Sequence, residues 1–509
     1  MHKELIINVE EGETRVALLE DGNLAELFIE RGKDADITGN IYKGRVQRVL
    51  PGIQAAFIDI GLKQAAFIYV DDVLRPGDTN CRVNRLVDEE NGRESGIVDE
   101  DEFPLGGGCP IEELLREGQE IMVHVAKAPI GTKGPRVTAY VSLPGRFLVL
   151  MPFANHIGVS RRIEDESERL RLREVVSRLR SHALGYIVRT AAEGLEEKPL
   201  ANEMQFLENL WENIQKEFAP APVPSLVHQE LSLCLRAVRD LLIHEVDRLV
   251  IDSSREHQNI LAFLDSFMPS LKSRVNHYDG QEPIFDAYNL EADISRALKR
   301  KVWLKSGGYI VIEQTEALVA IDVNTGRYVG KHNLEETILK TNLEAVKEIA
   351  YQIRLRDLGG LIIIDFIDMQ KKSNQEKVYN ALTEALKKDR SKTHVLPISD
   401  MGLVQMTRKR SRKPLTRMLC EPCFYCDGEG YLISRQSVCY SIYREILRDH
   451  QELAGQRIDI KVNPEVAERL HGEESHLVNA LERSISKRIV IYPEHRFHLE
   501  QFEIVNVVT

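Results

Sequence analysis

Long apolar runs are missing from this sequence of 509 residues. No stretch approaches the ~18–20 consecutive apolar residues of a membrane span, so a transmembrane protein is not expected. The first residues, MHKELIINVEEGE, lack both a basic n-region and an apolar h-region, so no signal peptide is expected. Cysteine is sparse too: seven residues, scattered singly except for one cluster at 420–426. That argues against a disulfide framework and for a reducing, cytoplasmic setting with one candidate metal site. Internal repeats and long low-complexity tails are also lacking. An excess of positive charge is absent, since the net charge is −12.

The negative balance alone argues against nucleic-acid binding, but charge acts locally. RKRSRKPLTR, residues 408–417, holds six basic residues in ten, whereas DEENGRESGIVDEDEF, residues 88–103, is densely acidic. A basic groove is compatible with the average, and so is a pair of solvated surface runs.

Several units follow from the length, at roughly 100–200 residues each. Residues 1–37 alternate like strands but are too few for a domain, so they are expected to pair with a later segment. Residues 38–75 with 110–137 carry short strands broken by Gly and Pro-Gly, as a small barrel would. Between them, about 76–109 reads as a Gly-rich, acidic insertion. Residues 138–234 mix strands with charged helices, 235–298 are mainly helical, and 299–418 look α/β. The cysteine cluster, 419–432, precedes a final mixed unit, 433–509.

Within 299–418 an acid stands where an aliphatic residue belongs. YIVIEQTEALVAI runs as a strand into Asp322, with Asn324 two residues on and a Gly turn behind. A second run, GGLIIIDFIDM, ends on Asp365 and reads as a strand buried on both faces. Apolar residues at 334, 338, 346, 349 and 353 between them have helical spacing. Strand, helix, strand gives parallel strands whose carboxyl ends share one sheet edge, where α/β sheets place their sites. Two carboxylates there repel unless one is protonated or a cation joins them, and Mg²⁺ suits such oxygen ligands. Asn324 lies on the same strand face as Asp322. A strand-end Asp also serves as a cap, and Asp368 reads as a turn residue.

CEPCFYCDGEG, residues 420–430, offers Cys423 and Cys426 with Gly428 and Gly430 behind them. This is the turn of a zinc knuckle, but structural zinc wants four ligands. Two chains sharing one zinc across a twofold axis, Cys420 as a third ligand, a redox pair or plain thiols all remain open. In the barrel segment Phe57, Phe67 and Tyr69 alternate away from aliphatic neighbours, as base-stacking aromatics or as packing. Lys127 and Lys133 lie near them. Arg189-Thr190, at the end of LGYIV, forms a phosphate donor set; Arg161 and Arg162 are similar basic candidates.

Taken together, GNIYKGRV, QAAFIDIG, VSRRI, IVRT, ALVAIDVNTG, IRLRDLGGLIIIDFIDM and the CxxC-x-G-x-G turn resemble the bacterial ribonuclease E/G family over nearly the whole chain. The resemblance implies a multidomain α/β and α+β fold. Residues 1–37 with 235–298 would form an RNase H-like subdomain, 38–137 an S1-type OB barrel and 138–234 a 5′-phosphate sensor. Residues 299–418 would be a DNase I-like catalytic subdomain, 419–432 a zinc link and 433–509 a small C-terminal α/β domain. It implies a Mg²⁺-dependent endoribonuclease of single-stranded, A/U-rich RNA, acting in rRNA maturation and mRNA decay and stimulated by a 5′-monophosphate. Asp322, Asp365 and Asn324 match its active site, and the stretch from Gly145 to Val149 (GRFLV), with Arg189 and Thr190, its 5′-phosphate pocket. Phe57, Phe67, Lys127, Lys133 and Arg161 match RNA contacts, and Cys423 and Cys426 a Zn²⁺ shared between protomers of a homodimer or larger assembly. Lys392 stands where the family often has Arg. The acidic insertion and Cys420 depart from the pattern. The long basic tail of some members is absent, so scaffolding of a degradation complex is not expected. The competing class is a non-catalytic RNA-binding or ribosome-assembly factor.

Overall fold

The computed structural model describes residues 2–32, 36–74, 109–129, 134–180, 184–242, 246–267, 269–326, 334–399, 401–410, 412–449 and 455–507. Nearly all of the acidic insertion, and Lys133, lie outside these residues. Two compact units divide the chain, Met1–Met418 and Leu419–Thr509.

The first unit opens with three antiparallel strands, β1 (Lys3–Glu10), β2 (Glu13–Glu20) and β3 (Asn23–Arg31). The barrel follows: β4 (Ile41–Leu50), β5 (Ala55–Asp59), β6 (Ala66–Tyr69), β7 (Glu120–Lys127) and β8 (Arg136–Thr138). It closes because β4 serves two partners, its first half pairing with β7 and its second with β5. The register of β4 shifts between Val46 and Arg48, the kind of bulge that lets one strand turn a barrel corner. Alternation does the rest: Val46, Ile58, Ile68, Val123 and Val125 fill the interior.

A four-stranded sheet comes next, from β9 (Leu143–Pro144), β10 (Leu148–Met151), β11 (Ile157–Val159) and β12 (Gly185–Val188). The helix Glu197–Phe218 packs on it through Leu200, Met204, Leu207 and Trp211. Then the chain returns to earlier sheets. β13 (Ser225–His228) adds to β4, while β14 (Arg248–Ile251) pairs in parallel with β1 and β15 (Val275–His277) with β14.

Residues beyond 300 build a six-stranded mixed sheet from β16 (Lys301–Trp303), β17 (Tyr309–Gln314), β18 (Leu318–Asn324), β19 (Gly360–Asp365), β20 (Thr393–Val395) and β21 (Leu403–Arg408). The helix Leu334–Leu355 connects β18 to its parallel neighbour β19, so the βαβ unit expected from the pattern is present. Two details differ. Ile362 and Ile364 are buried, but Leu361 is 42% exposed and Ile363 half-buried, so β19 buries one face rather than both. Leu334 is also exposed, and the buried stripe of the helix runs instead through Ala345, Val346, Ile349 and Ile353.

The basic run at 408–417 is only partly a solvated patch: Arg410, Lys413 and Arg417 are exposed, but several members of the run are engaged. Arg408 is buried between Asp357 and Asp389, at 2.6 and 2.7 Å, and Arg410 Nε donates to the Gly359 carbonyl. Arg412 covers the Phe28 ring and faces Glu26. Its charges bind the mixed sheet to the first three strands.

The second unit is a parallel pair, β22 (Arg457–Val462) with β23 (Arg488–Pro493), and an antiparallel β24 (Phe502–Val507). Three helices, Arg435–Asp449, Pro464–His471 and Ser475–Ile485, pack against it around Ile442, Ile446, Ile458 and Ile460.

Candidate active site and phosphate pocket

Alternation along β18 puts Val319, Ile321 and Val323 into the core and turns Asp322 and Asn324 outward. The parallel register sets Asp322 directly opposite Asp365, and residues opposite one another share a face. Asn324 Nδ2 donates to Asp322 Oδ2 at 2.7 Å, which fixes that carboxylate. Partial burial pushes the Asp365 carboxyl above the usual range, helped by the neighbouring charges of Asp322 and Asp368. A cation would relieve this crowding, so the donor set fits a hard divalent metal. Among the described residues, no three His, Cys, Asp or Glu side chains are gathered at metal-ligating range.

Sequence reading missed what holds this edge. Asn342, fully buried on the connecting helix, donates to the Ile367 carbonyl and accepts from its N–H, at 2.8 and 3.1 Å. Glu335 accepts from the backbone of Gln370 and Lys371 and from Asn374. The loop behind Asp365, which carries Asp368, is thereby pinned to the helix.

A second site lies at the ends of β9, β10 and β12. A polar cavity of about 140 Å³ is lined by Arg146, Ser160, Arg162, Arg189, Thr190, Ala191, Arg239 and Asp240. Arg189 Nη1 donates to the Gly145 carbonyl at 2.7 Å and meets Asp240 at 3.0 Å. Thr190 Oγ1 lies 3.1 Å from Ser160 Oγ. Val149, by contrast, points its side chain into a small apolar cluster with Met151, Ala154 and Ile187. Glu203 gives the loop its shape: the buried carboxylate accepts from the N–H groups of Arg146, Phe147 and Leu148 at 2.6, 2.8 and 2.8 Å. Burial still raises its pKa. Glu203, Arg239 and Asp240 were not legible as site residues, since their contacts join segments far apart in sequence, whereas Arg146 and Ser160 lie inside the matched stretches GRFLV and VSRRI without a role of their own there.

On the barrel, Phe57 and Phe67 are register partners with ring centroids 5.6 Å apart, and Tyr69 meets Phe67 edge-on at 4.5 Å. The row is half-buried. Lys127 is exposed and pairs in register with Arg136, whose guanidinium lies over Tyr69. Arg161 is exposed on the turn beyond β11, outside the arginine cavity's lining.

In the second unit, Asp427, Gly428 and Gly430 adopt positive φ and curl the chain around the cysteines. Gly430 N–H donates to Cys426 Sγ at 3.3 Å. Backbone N–H groups of Tyr425 and Cys426 draw the Cys423 thiol below its ordinary pKa. A turn that favours thiolates suits a soft metal such as zinc.

The Ribonuclease E/G family profile matches residues 142–411, and that of the RNase E/G thioredoxin-like domain matches 422–507. The chain belongs to the ribonuclease E/G family. It is 45% identical to ribonuclease G of Escherichia coli K12 over 505 residues, 99% of this chain and 100% of that one. Ribonuclease G of Haemophilus influenzae is 44% identical over 503 residues, 99% of each chain. Ribonuclease E of Escherichia coli K12 is 36% identical over 519 residues, covering 99% of this chain but 46% of that protein. Identity is thus higher to these two ribonuclease G chains than to this ribonuclease E. As a member of this family, the chain is an endoribonuclease.

Proposed function

We propose that this endoribonuclease hydrolyses single-stranded, A/U-rich RNA in rRNA maturation and mRNA decay, leaving 5′-phosphate and 3′-hydroxyl ends. The observation that carries the reading is the in-register pair Asp322–Asp365 at the carboxyl edge of two parallel strands. Mg²⁺ held by these two carboxylates would activate water and offset charge on the scissile phosphate. Asn324 keeps Asp322 in one rotamer for that task. The aromatic row of Phe57, Phe67 and Tyr69 stacks unpaired bases, and Lys127 with Arg161 meets the backbone. Arg189 and Thr190 take a 5′-monophosphate, which positions the RNA rather than changing the chemistry. Cys423 and Cys426 supply half of a tetrahedral zinc site, completed by the same pair from a second copy. Cytoplasmic work belongs to this reading, supported by thiols such as buried Cys234 and Cys439 that form no disulfide.

The test uses one short A/U-rich RNA bearing either a 5′-monophosphate or a 5′-hydroxyl, with Mg²⁺ or EDTA. Internal cuts should need Mg²⁺, run faster on the monophosphate and fall by at least ~100-fold in Asp322→Asn. Asp322→Asn should still bind the RNA. Binding by the wild type without any cut would instead mark a non-catalytic RNA-binding or ribosome-assembly factor.

A further inference from the structure

Four arginines line the small polar cavity, and three of them have oxygen partners. Arg189 has Gly145 O and Asp240. Arg239 has Glu230 at 2.7 Å, Asp240 at 3.0 Å and Pro144 O at 3.0 Å. Arg162 donates to the Arg390 carbonyl at 2.9 Å.

Arg146 is different. It is 7% exposed, yet its guanidinium makes no hydrogen bond or ion pair among the described residues, and its Nε is buried without a partner. The contact it makes is with the ring of Phe147, at 4.9 Å. Glu203 attracts the guanidinium electrostatically but makes no hydrogen bond with it, because its oxygens accept from three backbone N–H groups, and the charge of Arg274 opposes the cation. Burial lowers the pKa of Arg146 to about 10, so it is still a cation at neutral pH. A buried cation with no hydrogen-bonded counter-anion is unfavourable, and such an unsatisfied group is where a ligand would complete the site. Arg146 also lines the larger cavity of about 520 Å³ next door, whose walls include Leu143, Phe147, Leu207 and Leu271. It therefore stands in the partition between an apolar chamber and the arginine pocket.

We propose that Arg146 is a phosphate ligand of this pocket, donating its guanidinium to the terminal 5′-monophosphate of RNA and setting the preference for phosphorylated ends. This rests on reading the Arg189–Thr190 cavity as the 5′-phosphate site. A phosphomonoester carries about −1.5 to −2 charges at pH 7, against one for an internal phosphodiester, so an added cation favours the terminus. The fork geometry adds bidentate contact.

Calorimetry in EDTA decides it, with an RNA pentamer carrying a 5′-monophosphate and the same pentamer with a 5′-hydroxyl. Wild type should prefer the phosphorylated pentamer. Arg146→Met should lose that preference by about tenfold, leave binding of the 5′-hydroxyl pentamer unchanged and raise the thermal midpoint, because an unpaired buried charge is gone. In cleavage, the KM for monophosphorylated RNA should rise while kcat on 5′-hydroxyl RNA stays the same. A purely structural Arg146 would instead lower the midpoint and affect both RNAs alike. Arg146→Gln serves as the second variant should the Met protein fail to fold. If either folded variant keeps the wild-type preference, Arg146 is not a ligand. If wild type shows no preference, the pocket assignment falls and Arg146 falls with it.

Discussion

Gly145 shows how one missing carbon shapes a pocket. A Cβ there would come within 2.7 Å of Glu203 Cδ and 2.9 Å of the Leu148 carbonyl oxygen. Gly145→Ala should therefore push Glu203 out of its three N–H bonds and leave polar groups buried without partners. We expect a loss of about 1–3 kcal/mol in stability, with weaker use of 5′-monophosphorylated RNA. Thermal melting beside KM for the two RNA forms checks this; an unchanged midpoint would show that the loop relaxes freely. Asp322 and Asp365 were legible because an acid interrupted an apolar run twice, at the carboxyl end of each strand of one βαβ unit. Arg146 and Glu203 carried no such mark. An arginine beside a glycine and a glutamate on a helix are ordinary until the fold joins residues 57 positions apart.

At the scale of elements, periodicity predicted the right types and overstated burial. The apolar run of β19 is read correctly as a strand, but a continuous run does not say how many faces are covered, and Leu361 is exposed. Charge misled in the other direction: the run containing Arg408 and Arg412 is tied to acids on distant elements, which composition cannot display. The barrel strand β7 holds a testable case. His124 is 8% exposed with Nε2 buried and unpartnered. Burial, then the nearby His228, lowers its pKa to about 4. The unfolded chain takes up this proton first, near 6.5. Stability is thus full above that value and declines as pH falls toward 4, by about 1.4 kcal/mol per unit. His124→Gln, neutral throughout, should flatten the decline between pH 6.5 and 5 in melting curves. Parallel curves for both proteins would place the acid sensitivity elsewhere.

For the whole molecule, the assembly prediction concerns zinc. Removing Cys423 or Cys426, or chelating the metal, should release bound zinc and convert dimers to monomers. Elemental analysis with sedimentation would record both. A metal-free protein that stays dimeric would refute the shared site. The second unit carries its own core around Ile442, Ile446, Ile458 and Ile460, so the cysteine variants should remain folded there.

The parallel pairing of β1 with β14 also sets a clock. Asn8 and Asp252, joined by a hydrogen bond, are 244 residues apart. At ~5–20 residues per second, a ribosome needs ~12–50 seconds to supply the missing neighbour. Through that interval one edge of β1 has no β14 to pair with, beside the apolar side chains of Leu5, Ile6 and Ile7. A nascent chain in that condition is a natural client for chaperones and open to strand-to-strand aggregation. Slowing translation upstream of residue 248 should therefore lower the soluble yield more than slowing it after residue 280.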